Sequence, residues 1–215
     1  MHIPDGFLDP TISIITYLIF ATFLVYTLRK IRNSFSTENV TLASVLAAGI
    51  FVAQMLNWPI PGGTSLHFVG GAFAGIVVGP WLGFLTMFVV LLIQCLIFHD
   101  GGITALGANT INMAVIAVFT GYIIYYYSMK IFGRKDSVRI ISAFLGGWLS
   151  VTLAGLFCGI EIGFSPTFPY GLAITVPVMT IWHLILGIIE GAITMLAVLY
   201  LVRRQPQIIY SEVKI

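Results

Sequence analysis

Met1 and His2, read as a free N-terminus with no leader ahead of it, form a ready chelator. The α-amine, the amide nitrogen joining the two residues and the His2 imidazole can reach one ion in two fused rings. A fourth nitrogen from elsewhere in the chain would close a planar four-nitrogen set. Such a set suits Ni(II) and Cu(II), suits Co(II) less well, and serves oxygen-seeking Mg(II) or Ca(II) poorly. A bulky His at position 2 is expected to keep the initiator Met in place. His67 is the favoured fourth donor. It follows the turn-forming run Pro61-Gly62-Gly63-Thr64-Ser65-Leu66 at the start of an apolar stretch, where Thr64 or Ser65 is placed to cap a helix. Taken alone, His67 reads as an interfacial side chain with its hydrogen bonds met; on the same face as Met1 and His2 it reads as a ligand.

Other polar side chains have two readings each. His99, in the loop His99-Asp100-Gly101-Gly102, is either a residue the arriving ion meets first or a solvated loop residue. His183 and Glu190 fall on one helical face. Glu190, a carboxylate within an apolar stretch, marks function by default; it either orients a neighbour or bonds helix to helix, and His183 either supports a ligand or packs. Ligating imidazoles usually give their second N–H to an acceptor, so Gln94, Asn109, Thr110 and Asn112, with Ser65 beside His67, are candidate orienters. Plain helix-to-helix hydrogen bonding accounts for the amides equally well. Asp5 and Asp9 are the carboxylates nearest the N-terminus in sequence.

The elements that must position these groups follow from composition. Hydrophobic residues make up 59% of the 215 residues and charged residues 8%, against about 25% charged in soluble domains. The chain is therefore a single all-α integral membrane domain. Seven apolar stretches stand out: 10–28, 40–56, 66–78, 81–98, 109–128, 138–158 and 172–202. A full span takes about 20 residues, fewer where packing is tilted or thin. The ten Lys and Arg fall into three clusters: Arg29, Lys30 and Arg32; Lys130, Arg134, Lys135 and Arg139; Arg203, Arg204 and Lys214. Basic clusters belong on the cytoplasmic side, which needs an even number of crossings between neighbouring clusters. Seven transmembrane helices satisfy this, with residues 1–9 outside as the metal-binding segment, 10–202 crossing and 203–215 a cytoplasmic tail. All four His then lie on or near the outer face, where no Lys or Arg does. Ala43 and Ala47, and Gly71, Gly75 and Gly79, form small-residue ladders that either pack internally or receive a partner membrane subunit.

Several functions are disfavoured. There is no phosphate-binding Gly-x-x-x-x-Gly-Lys-Ser/Thr, no HExxH and no GxSxG. No Lys lies within an apolar stretch, and the halves show no repeat. Cys95 and Cys158 read as small hydrophobes. Neither an enzymatic activity, a resident cofactor nor a nucleic-acid partner is expected. The competing readings are a stand-alone metal channel and a metal-dependent membrane enzyme, which needs an open coordination position and a nearby base.

The segments Met1-His-Ile-Pro-Asp-Gly-Phe-Leu-Asp-Pro10, Gly63-Thr-Ser-Leu-His-Phe-Val-Gly-Gly71 and His99-Asp-Gly-Gly-Ile-Thr-Ala-Leu-Gly-Ala-Asn-Thr-Ile-Asn-Met113 carry a resemblance along nearly the whole chain. It resembles the NikM/CbiM family, the substrate-binding S component of energy-coupling-factor nickel and cobalt importers. The resemblance implies a six-helix core plus one extra N-terminal helix. It implies that Ni(II) or Co(II) is the transported ion, bound through the Met1 amine, His2 and His67. It maps Ala43 and Ala47 onto contacts with a coupling transmembrane subunit and leaves ATP hydrolysis to separate ATPase subunits. Any additional small membrane subunit would be a separate chain, since this one stops soon after Arg204.

Overall fold

The computed structural model describes residues 1–32 and 36–213; Lys214, counted above in the third basic cluster, lies outside the described residues. Among those described, six helices are long and apolar enough to cross a membrane. α1 (Pro10–Ile31) starts where the Asp9 carboxylate accepts the Thr11 N–H at 3.0 Å and Pro10 fills the first turn, and it ends on Arg29 and Lys30. α2 (Thr37–Gln54) starts on Ser36, whose Oγ accepts the Asn39 N–H at 3.2 Å.

The 66–78 stretch departs from the expected full helix. β1 (Asn57–Pro59) and β2 (Ser65–His67) pair antiparallel with Asn57 opposite His67, and α3 (Gly71–Val78) follows with only eight residues. At 1.5 Å per residue α3 is about 12 Å long, too short to cross alone. The reason is local. Gly70 sits in the left-handed region with φ 74°, so the helix cannot continue back to Leu66, and neither Thr64 nor Ser65 caps it. At the other end Gly79 stops α3 and Pro80 opens α4 (Pro80–Ile93).

α4 runs into a π-helical turn, Gln94–Phe98. After the loop, α5 (Leu106–Thr110), a second π-helical stretch (Ile111–Ile116) and α6 (Ala117–Phe132) form one continuous span. α7 (Asp136–Phe164) and α8 (Leu172–Arg204) pack closely along their lengths, with Trp148 Nε1–H donating to Leu184 O at 3.0 Å. α3 is enclosed: Gly71 faces Ala117 and Gly75 faces the Val118 carbonyl, so this ladder packs internally. Ala43 and Ala47 are half-buried and Ala47 packs on the core, whereas Val45 and Val52 of α2 point outward, 65% and 68% exposed.

The charges separate by end. Arg139 holds Glu212 with two hydrogen bonds, at 2.9 and 3.0 Å, and Arg203 lies 4.0 Å from Asp136. Lys30, Glu38, Gly79 and Tyr210 line one cleft at that same end. There α9 (Tyr210–Val213) docks under α3, and Ser211 Oγ donates to the Ile76 carbonyl at 3.0 Å. The N-terminal segment and the 99–105 loop gather at the opposite end, where α1 begins.

Candidate metal centre

The N-terminal segment is threaded between the helices. Met1 and Ile3 are fully buried and His2 is 3% exposed. Asn109 grips Ile3 by both backbone polar atoms: the Ile3 N–H donates to Oδ1 at 2.8 Å and Nδ2–H donates to Ile3 O at 3.1 Å. The Gly102 N–H reaches the same carbonyl at 2.8 Å. The Asp5 carboxylate accepts the Thr104 hydroxyl at 2.6 Å and its N–H at 2.8 Å, and these bonds hold it below the usual carboxylate range. Thr167 Oγ1–H donates to Phe7 O at 3.0 Å and the Asp9 N–H donates to Ser165 Oγ at 2.9 Å. This seat requires glycine at 102, because a Cβ there would lie 2.2 Å from the Asp5 nitrogen.

The seat fixes the first two residues among three imidazoles. The Met1 amine donates to the Ser65 carbonyl and, at 2.6 Å, to Ser65 Oγ. The His2 and His67 rings stack, with centroids 4.4 Å apart and planes 18° from parallel. His2 Nε2–H donates to Gln94 Oε1 at 3.2 Å, and His67 Nδ1–H to Phe68 O at 2.7 Å. His183 Nδ1–H donates to Met179 O at 2.6 Å, with its ring against Gly155, where a Cβ would sit 2.5 Å from His183 Cγ. In each ring one nitrogen is thus engaged as a donor. The other, His2 Nδ1, His67 Nε2 or His183 Nε2, is buried with no hydrogen-bond partner. The His2 main-chain N–H makes no hydrogen bond to another described residue either.

Buried lone pairs without partners are costly, and a cation is one thing that satisfies them. Among the described residues no three His, Cys, Asp or Glu side chains converge as a conventional metal cage would require. Main-chain nitrogen lies beside the rings as well, in the Met1 amine and the His2 amide. Electrostatics prepare it. Burial lowers the Met1 amine from 8.0 to about 5; burial and the neighbouring amine lower His2 from 6.5 to about 3. Both are neutral, lone-pair-bearing donors at neutral pH.

The other sequence candidates separate. Gln94 and Ser65 touch His2 and the Met1 amine. Asn109 and Asn112 do not orient an imidazole: Asn109 binds the Ile3 backbone, and Asn112 Nδ2–H donates to Glu161 Oε2 at 2.6 Å. Thr110 Oγ1–H returns to its own helix at Leu106 O, 2.7 Å away. His183 is fully buried beside the cluster rather than at an outer edge, and His99 is exposed, with φ 55°. Of the carboxylates, neither Asp5 nor Asp9 faces the cluster, since Asp5 binds Thr104 and Asp9 caps α1. Asp100 is the one sequence reasoning missed. Its Oδ1 lies 3.3 Å from His2 Nδ1, the contact is not aligned as a hydrogen bond, and burial pushes the carboxyl upward. Its place beside His99 in the Gly-rich loop was the available signal.

The chain is similar to known metal-transport proteins. The family profile described as "CbiM: Cobalt uptake substrate-specific transmembrane region" matches residues 2–208. An Archaeoglobus fulgidus protein, provisionally named the fused nickel transport protein NikMN, is 52% identical over 212 residues, 99% of this chain and 69% of that protein. A Haloquadratum walsbyi protein provisionally named a metal transport protein is 47% identical over 99% of this chain and 94% of its own length. A crystal structure described as a truncated transition metal transporter matches with TM-score 0.89 at 37% identity, covering 94% of this chain and 99% of that one.

Proposed function

We propose, for a chain that belongs to the CbiM family of cobalt uptake substrate-specific transmembrane proteins, that it captures Ni(II) or Co(II) from outside the cell as the substrate-binding component of an ATP-driven transporter. The Met1 amine, the His2 amide, His2 Nδ1 and His67 Nε2 are the ligands; His183 stands behind them. The observation that carries this reading is the set of buried, unpartnered nitrogens around a threaded N-terminus. Square-planar nitrogen sites favour Ni(II), so nickel is the primary substrate and cobalt a second one. The naming of relatives for nickel, cobalt and metal transport agrees with this. A membrane enzyme is disfavoured, because four nitrogens leave no open position next to a base.

The topology is seven crossings with the N-terminus outside. The third crossing is half extended and half helical: residues 65–70 and α3 run from the metal cluster to Gly79, beside Lys30 and Tyr210. All described basic clusters then lie on the cytoplasmic side. A coupling transmembrane subunit and ATPase subunits complete the machine, and α2, which carries Ala43 and Ala47, is the helix the coupling subunit meets. The test is uptake of Ni(II) into sealed vesicles. Accumulation is expected only when coupling and ATPase subunits are present with ATP; uptake by this chain alone makes it a channel.

The site's pH response follows from its seat. The seated amine binds a proton only near pH 5, whereas a released amine binds one near 8.0. The depressed value means that seating is fully favourable above pH 8 and loses ground as pH falls toward 5. Retention of Ni(II), read by equilibrium dialysis, is expected to decline across that window. Retention held constant down to pH 6.5 would mean that the amine is not a ligand.

A further inference from the structure

His67 is joined to a carboxylate through a single peptide unit. Its Nδ1–H donates to the Phe68 carbonyl, and the N–H of that same peptide, on Val69, donates to Glu190 Oε2 at 2.7 Å. The next peptide repeats the pattern. The Gly70 N–H donates to Glu190 Oε1 at 2.8 Å, and the Val69 carbonyl accepts Gln54 Nε2–H at 2.6 Å. Two consecutive peptides are thereby clamped at both ends between α8 and α2. Val69 and Gln54 are fully buried and Glu190 is 3% exposed, and no Lys or Arg pairs with Glu190 among the described residues.

We propose that Glu190 is a positioning residue for His67, acting through the Phe68–Val69 peptide to fix the tautomer and aim of the imidazole. The inference rests on His67 being a ligand of the ion. Ligating His residues usually give their second N–H to a carboxylate or carbonyl, which fixes the ring and raises its basicity. Here the carboxylate works at one remove, and hydrogen bonds in such a chain polarise one another. The site needs both carboxylate oxygens, since two N–H groups converge on them. It also lies at the start of α3, where a negative group is favoured and where non-helical backbone inside a membrane must be satisfied. A cap for α3 alone would need only the two N–H bonds; the Phe68 carbonyl, which accepts the His67 Nδ1–H, is what extends the clamp to the ion.

The test is a double-mutant cycle on the full chain in detergent, with Ni(II) as the probe and affinity read by chelator competition. Glu190→Gln sets an NH2 group against one of the two N–H donors. It is expected to weaken Ni(II) by about 10–100-fold, the range for residues supporting a ligand, and to move the visible ligand-field band of the bound ion. In a His67→Ala background the same change is expected to do nothing further. Additive losses, or unchanged affinity in the single variant, overturn the proposal. An unchanged affinity in His67→Ala alone overturns the site itself, and is seen separately. If Glu190→Gln does not fold, Gln54→Leu, which frees only the Val69 carbonyl, runs the same cycle; additivity there overturns the clamp equally.

Discussion

One residue added ahead of Met1 is expected to abolish stoichiometric binding of Ni(II) and Co(II). The extension turns the primary amine into an amide, and it must also fit where Met1 is fully buried against Ser65 and Cys158. On the scale of structural Zn(II) in zinc-finger peptides, about 10–16 kcal/mol over four ligands, one ligand carries about 2.5–4 kcal/mol, or about 60–700-fold in affinity. The measurement is bound metal in protein carrying only a C-terminal tag, with and without the extra residue. Unchanged binding would remove the amine from the ligand set and leave the site to be rebuilt around His67 and His183. A chain that mass spectrometry shows to begin at His2 would fail the same way.

The second large effect is expected from Gly102→Ala, a single methyl group added to a residue that is no ligand. Its Cβ would lie 2.2 Å from the Asp5 nitrogen and 2.6 Å from the Pro4 carbonyl carbon. Both neighbours are backbone, so no side-chain rotation relieves the clash. Overpacking of this kind costs about 1–3 kcal/mol, all of it charged to the seated state of residues 1–5. Metal affinity is expected to fall by about 5–150-fold. Gly49→Ala is the control, because nothing lies within 4 Å of a Cβ there. Equal affinities in the two variants would mean that the seat does not set the site.

Much of this was legible in the chain. Low charge and three basic clusters predicted a membrane domain with its basic groups at one end, and those described do share one end. Six of the seven apolar stretches became membrane-length helices, within a few residues of their expected limits. The 66–78 stretch did not, because one left-handed glycine at position 70 outweighs the hydropathy of its neighbours. Met1, His2, His67, Gln94 and Ser65 were singled out from type and spacing, and the fold brings them together. The partners of Asn109, Asn112 and Asp100 were not legible. Which way a helical amide points depends on rotation about the helix axis, and hydropathy constrains that only to within a face. The clamp on His67 was hidden for another reason: it runs through peptide groups, which carry no sequence signature.

The two π-helical turns decide that rotation. A π turn amounts to one residue inserted into a wall that is otherwise α-helical, which offsets the angular register on its two sides by about 100°. In the first wall, Gln94 and Cys95 are buried while Leu96, Ile97 and Phe98 face out, so the helix meets lipid right up to the level at which it touches His2. In the second, Asn109 lies before the offset and Asn112 within it, which lets one helix address the Ile3 backbone and Glu161 from neighbouring turns. The outward-facing surface and the inward-facing surface of each wall can therefore drift independently in composition. Removing a single residue from either turn would lock the two registers together and turn one polar contact toward the bilayer.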